Sequence, residues 1–248
     1  MLILIHYTNQ QTIMEKQEVM EALAGYGSES TRKTLLRHGA TEPLDGVKVA
    51  DLKKLAKKIK TDHRLALALF DSGHADAMYL AGLIANADEV SPEELQHWAE
   101  AAEWYMVGEY MVAGLAAESP HGWELGKQWI DDEREHVAAI GWATLGGWLS
   151  YRSNEEIDTS GMHHLLKRIS KTIHESPNRV RYTMNNFVIA TGSYMPDLLA
   201  EAKAVAETIG KVSVNMGDTA CKVPLATDYI AKVENMGRVG KKRPYVRC

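Results

Sequence analysis

Cysteine is scarce in this 248-residue sequence: Cys221 and Cys248 are the only two. They are too few for a disulfide framework or a cysteine-built zinc site, so a reducing, cytoplasmic setting is expected. Long apolar runs are missing as well. The opening MLILIHYTNQ turns polar after four or five apolar residues and has no basic leader, so neither a secretory signal nor a membrane span is expected. Strand-like alternation is nearly absent before KVSVNM at 211–216. No glycine-rich phosphate loop follows a strand and no nucleophile elbow occurs, which leaves those enzyme classes without support.

Charge of one sign is also lacking, with a formal net charge of −5. Its distribution is uneven. Residues 1–87 carry 11 basic and 10 acidic side chains, residues 88–135 carry 2 and 13, and residues 136–248 carry 15 and 10. An acidic block thus lies between neutral and basic flanks. Such a pattern can orient a polyanion along the flanks, or it can reflect solvated helix faces.

What is present is helical periodicity. Apolar residues recur at i, i+3 and i+4 over 11–25, 28–38, 48–60, 63–72, 74–87, 91–118 with a break near 103, 121–131, 133–149, 160–175, 177–192 and 195–210, which predicts amphipathic helices. The breaks are short and use helix punctuation such as Ser91-Pro92, Ser119-Pro120 and Ser176-Pro177, so neighbouring helices should form antiparallel pairs. LFDSGHADAMYLAGLIA at 69–85, WIDDEREHVAAIGWATL at 129–145 and IHESPNRVRYTMNNFVIA at 173–190 resemble one another, at unequal offsets. Degenerate helical repeats predict a curved solenoid with a concave binding face; a compact helical bundle is the competing architecture. Residues 211–248 read differently, as a strand-like or extended piece, a helix near 224–234 and a basic tail.

Two Glu-x-x-His spacings, Glu94 with His97 and Glu133 with His136, are the pattern of dinuclear iron sites in helical bundles. Each has a simpler explanation. Ser91-Pro92-Glu93-Glu94 is a capping box, and Glu133 lies in the acidic first turn of a helix. Six tryptophans, Trp98, Trp104, Trp123, Trp129, Trp142 and Trp148, are expected mostly in the core, although indoles on a concave face could stack on bases. Cys221 is expected to be a small buried hydrophobe.

The segments GVKVADLKKLAKKIK and ALFDSGHADAMYLAGLIA and the ending DTACKVP with YI, KV and GRVGKKR resemble the DNA alkylation repair family of HEAT-like repeat proteins, over most of residues 40–248. The resemblance implies a right-handed α-superhelix that holds duplex DNA in its concavity. In active members it implies hydrolysis of the N-glycosidic bond of N3- or N7-alkylated purines, in an aromatic cleft with two tryptophans and an aspartate four residues after the first. Trp104 matches the first indole, but Gly108 stands where the aspartate is expected. Glu109 is one position further, about 100° round an ideal helix. The second indole position falls on Asn186, beside Asn185, and an expected DNA-holding arginine falls on Ala138 or Ala139. A carboxylate at ~4 Å from a developing sugar cation contributes about 4 kcal/mol at an effective dielectric near 20. Its loss would leave binding without much chemistry.

The resulting expectation is an all-α, HEAT-like right-handed α-α superhelix (an ARM-type solenoid) over residues 1–210, with residues 211–248 packed on the same domain. By resemblance it is a DNA-binding protein of base excision repair with weak or absent glycosylase activity, a monomer that needs no metal or cofactor. Trp104, Trp142, Tyr182, Asn185 and Asn186 are candidates for the cleft; Lys53, Lys54, Lys57, Arg179, Arg181, Lys241, Lys242 and Arg243 are candidates for phosphate contacts. Two alternatives stay open: a true alkylpurine glycosylase whose carboxylate is Glu109 or Glu103 in a shifted helix register, and a repeat scaffold whose acidic block draws basic protein partners.

Overall fold

Helices begin where the sequence supplies a cap. The side chains of Ser28, Asp62 and Asp158 accept hydrogen bonds from the backbone N–H of Thr31, Leu65 and Gly161. Ser91 and Glu94 form the reciprocal capping box, satisfying two of the donors that a helix start leaves open. The computed structural model describes residues 14–247. Within them run α1 (Lys16–Tyr26), α2 (Glu29–Arg37), α3 (Val49–Ile59), α4 (His63–Phe70), α5 (Ala75–Ile84) and α6 (Pro92–Ala101). A π-helical segment, Met106–Val112, leads directly into α7 (Ala113–Glu118). Then follow α8 (Gly122–Trp129), α9 (Glu135–Tyr151), α10 (Thr159–Thr172), α11 (Asn178–Tyr194), α12 (Leu199–Ile209) and α13 (Ala226–Asn235). The expected helix at 11–25 begins outside the described residues and is seen as α1.

Two layers result. In one, α3, α5, the π segment with α7, α9, α11 and α13 pack in succession; in the other, α4, α8 and α12 lie against α5, α9 and α11. This is a stack of helix pairs, each burying its apolar face on the next, and α5 and α9 are buried along most of their length. The apolar core forms two clusters that meet at α9, whose Val137 and Ile140 belong to one and whose Trp142 and Leu145 belong to the other. Small residues set the spacing within the first layer, called the inner layer because it carries the cavity-lining faces of α9 and α11, and between the two. A Cβ on Gly82 would lie 2.4 Å from the Cβ of Met111, and one on Gly141 would lie 2.7 Å from the backbone nitrogen of Ile130. Five of the tryptophans are core residues, as expected, and Trp123 is half-buried. Phe70 and Trp98 stack with ring centroids 4.0 Å apart.

Residues 211–225 form no helix and no strand. They are held by side chains: Asn178 and Asn215 exchange hydrogen bonds, and Asn185 donates to the carbonyl of Pro224. Cys221 is exposed, contrary to the buried position expected, because this segment lies on the surface of the inner layer instead of entering the core.

The basic tail wraps back over the body. The N–H groups of Gly240 and Arg243 donate to the carbonyls of Ser193 and Ser150. Val246 and Arg247 donate their backbone N–H to one oxygen of Glu118, and the Arg247 guanidinium binds the other oxygen at 2.6 and 2.8 Å. The same guanidinium donates to the carbonyls of Gly82 and Ala85, near the C-terminus of α5, where helical carbonyls lack partners. Gly114 makes room, since a Cβ there would lie 2.7 Å from Cγ of Arg247. Both charged side chains are nearly buried, at 14% and 9% exposure. Removing one member of such a pair leaves the other unmatched, which costs about 3–5 kcal/mol. Arg247→Ala should therefore lower the unfolding free energy by an amount of that order in urea denaturation, and an unchanged value would show that the tail does not contribute to the fold.

Candidate nucleic-acid interface

The break expected near residue 103 is where the site is built. Trp104 is buried, and its indole N–H donates to the carbonyl of His38 at 3.0 Å. It therefore braces the loop after α2 and does not line the cavity described below, in contrast to the cleft role expected from resemblance. From Met106 the chain winds as a π-helix, in which hydrogen bonds reach five residues instead of four. The wider turn removes the basis for the 100° offset expected of Glu109. Gly108 faces the packed interior; a Cβ there would approach Cδ1 of Ile140 to 2.8 Å and the carbonyl oxygen of Ala102 to 2.9 Å. No side chain fits at 108. The aromatic-x-x-x-carboxylate spacing is instead met one residue later, by Tyr105 and Glu109.

Glu109 is the centre of the arrangement. Its side chain is 6% exposed, and its two oxygens accept hydrogen bonds from Nε and Nη2 of Arg179 at 2.8 and 2.5 Å. The guanidinium carbon of Arg179 lies 4.5 Å from the ring centroid of Tyr105 and 4.5 Å from that of Tyr182. A cation is thus held between two aromatic faces with a carboxylate at its edge, which combines cation–π attraction with a bidentate ion pair. Tyr105 is itself fixed by its hydroxyl, 3.0 Å from Nδ1 of His38. The start of α11 is held by Glu135, which accepts the backbone N–H of Arg179.

Burial pushes the Glu109 carboxyl up from its ordinary value, against the two hydrogen bonds from Arg179. Burial also opposes the charge on Arg179, but Glu109 more than offsets this and holds the guanidinium above its ordinary value. Arg179 stays charged, so the ionised carboxylate is the form that leaves neither group unmatched. Arg179 was expected on a phosphate; its charge is already spent on Glu109.

Beside this box lies a cavity of about 580 Å³ between the faces of α9 and α11 and the C-terminal segment. Glu109, Trp142, Tyr182, Asn186 and Arg243 of the expected residues line it, together with Lys222 and Tyr229. Asn185 does not, because it is fully buried with its amide on Pro224. A second groove of about 370 Å³ is lined by Arg238, Lys241, Lys242 and Arg243. Lys242 donates to the carbonyl of Leu149 at 2.8 Å, and burial pushes its amine below the usual lysine range, so it braces α9 more than it presents charge. Lys53, Lys54 and Lys57 are exposed on α3, away from both hollows. Arg181 is half-buried on α11 and lines neither.

Neither Glu-x-x-His spacing gathers ligands. Glu94 serves its capping box and pairs with His63, His97 faces Asp71, and His136 bonds the carbonyl of Glu100. Among the described residues, three possible ligands come within reach of one ion only at Asp45, His74 and Asp76. There Asp76 already accepts three backbone N–H groups, from Asp45, Gly46 and Val47, so it acts as a clasp for the loop before α3.

Tyr105, Tyr229 and Lys222 were not anticipated. Reading the aromatic-to-carboxylate spacing at both Trp104 and Tyr105 would have found the first. The other two depend on how the C-terminal segment folds back.

A layered stack of helix pairs with a cation-binding aromatic box on its inner face defines a HEAT-like superhelix. A family model described as DNA alkylation repair enzyme matches residues 19–220; the chain belongs to this family. It is 33% identical over 211 residues to the uncharacterized protein Lin0241 of Listeria innocua, covering 83% of this chain and 91% of the relative, and equally to the uncharacterized protein Lmo0209 of Listeria monocytogenes. A solved structure is similar with a TM-score of 0.86 and 34% identity, over 95% of this chain and 100% of the other. That protein is described as one of a new family related to the HEAT-like repeat DNA glycosylases, with affinity for branched DNA structures. Among the described residues no helix is long and apolar enough to cross a membrane.

The ion pair makes a direct prediction. Glu109→Ala and Arg179→Ala should each destabilise the protein by about 3–5 kcal/mol. The double variant should lose less than the sum, because the two share one interaction. Additive losses in urea denaturation would show that the pair is not energetically coupled.

Proposed function

We propose that this protein binds DNA in the inner groove of its superhelix, recognising branched or otherwise distorted duplex, and has weak or no glycosylase activity. The observation that carries the reading is the Arg179 guanidinium between Tyr105 and Tyr182 on the Glu109 carboxylate. Glycosidic cleavage builds positive charge on the sugar, and a free carboxylate stabilises it. A carboxylate already matched by a buried guanidinium presents a nearly neutral pair, and the aromatic faces that would hold a cationic base are covered by the protein's own cation. Family membership and the branched-DNA affinity of the similar solved protein support binding without requiring the chemistry.

Binding would draw on Lys53, Lys54 and Lys57 on α3 and on Arg238, Lys241 and Arg243 of the tail, in a protein working as a monomer in the cytoplasm. Each phosphate contact releases counterions, so affinity should fall by about 0.9 logarithmic unit per contact for each tenfold rise in salt. The alternative is an active alkylpurine glycosylase using Glu109, favoured by the π-helical turn that brings this carboxylate into the aromatic box. One experiment separates them. Methylated-purine release from globally methylated duplex should not exceed spontaneous loss, and Glu109→Gln should leave it unchanged, while a branched duplex binds more tightly than a linear one. Release abolished by Glu109→Gln would establish the glycosylase; an affinity that does not respond to salt would remove both readings in favour of a protein scaffold.

A further inference from the structure

The plugged box does not account for the cavity beside it. Ala143, Gly146 and Gly147 on α9 and Ala190 on α11 form a low floor, and a Cβ on Gly146 would meet nothing closer than 3.7 Å. At Gly146 the floor would therefore accept a side chain, whereas at Gly147 a Cβ would lie 2.9 Å from that of Ala117. Tyr110 and Tyr229 both line it with 47% and 50% of their surface in water, which places two exposed rings at one hollow. The neighbouring basic groove shares Ser193, Tyr194, Val233 and Arg243 with the cavity, so the two hollows are continuous. Arginines elsewhere are mostly matched: Arg32, Arg134, Arg152, Arg168, Arg179 and Arg247 each pair with a carboxylate. Among the described residues Lys222, Arg238, Lys241 and Arg243 form no ion pair, as is also true of lysines elsewhere such as Lys53 and Lys57, but these four gather round one pair of joined hollows.

Exposed aromatic faces next to unmatched cations are the combination that binds unpaired nucleic acid, with bases on rings and phosphates on cations. The volume lies in the ordinary range of small-ligand pockets, about 300–1,000 Å³. The geometry points to a pocket for one unpaired nucleotide, its base against Tyr229 and Tyr110 over the α9–α11 floor and its adjoining phosphates on Arg243 and the Arg238–Lys241 groove. Asn186, at the cavity wall, supplies an amide that can meet a base edge. The inference rests on the DNA-binding reading above and names the part of a branched duplex that the C-terminal segment would hold: a nucleotide left unpaired at the branch point.

The test uses the full-length protein and a three-way junction carrying 2-aminopurine at an unpaired branch nucleotide. Wild-type protein should change the probe's fluorescence several-fold on binding, and should prefer this junction to a fully paired one by about tenfold, the scale of one stacked base. Tyr229→Phe should keep both effects, since the ring remains, and Tyr229→Ala should lose both while salt-dependent binding to linear duplex is unchanged. Junction binding with an unaltered probe, or a signal indifferent to Tyr229→Ala, would overturn the pocket and leave the DNA-binding reading standing. A four-nucleotide single strand that quenches through Tyr229, with no binding to any duplex or junction, would support the pocket and overturn that reading. Capture of free dAMP as tightly as the junction would overturn the nucleic acid as the source of the nucleotide.

Discussion

The inner face of this protein is organised around one buried ion pair. Glu109 and Arg179 come from elements 70 residues apart in sequence, and each would be costly to bury alone. Together they join the π segment to the start of α11, with α9 between, and the rings of Tyr105 and Tyr182 close over the guanidinium. The arrangement has the composition of a site for a planar cation, but its occupant is covalently part of the chain. The protein shares the family fold, and in it the carboxylate of this box is already matched by a guanidinium.

A second buried pair, Glu118 with Arg247, does comparable work at the other end of the inner layer. The tail it anchors crosses the ends of α11, α9 and α5 in turn, bonding to carbonyls of Ser193, Ser150 and Gly82. A solenoid whose repeats touch only their neighbours is open to bending, and a strap across several repeats limits that freedom. It also brings the basic residues of the tail to the edge of the aromatic cavity, so the same segment fixes the curvature and contributes charge to the inner face.

Most of the helical architecture was legible in the sequence, because it rests on local signals. The i, i+3, i+4 pattern located nearly every helix, and the capping box read at Ser91 and Glu94 marks the start of α6; the caps at Ser28, Asp62 and Asp158 were found only in the structure. The site was less legible, because it depends on non-local geometry. Trp104, assigned to the cleft, turns inward to His38, and Arg179, assigned to phosphate, turns to Glu109. Nothing in the local pattern distinguishes an arginine that meets solvent from one that meets a carboxylate 70 residues away. The π-helical turn is equally hidden, since one extra residue per turn leaves no compositional mark.

Gly108 gives the molecule a direction in sequence space. With the side chain of Ile140 and the carbonyl of Ala102 both inside contact distance of any added carbon, an acid cannot be placed four residues after Trp104 by changing that codon alone. The backbone carbonyl of Ala102, at the end of α6, would have to retreat and the Ile140 side chain repack. In this packing a single substitution at 108 therefore cannot supply the acid, and a carboxylate for the groove has to come from a neighbouring position such as Glu109.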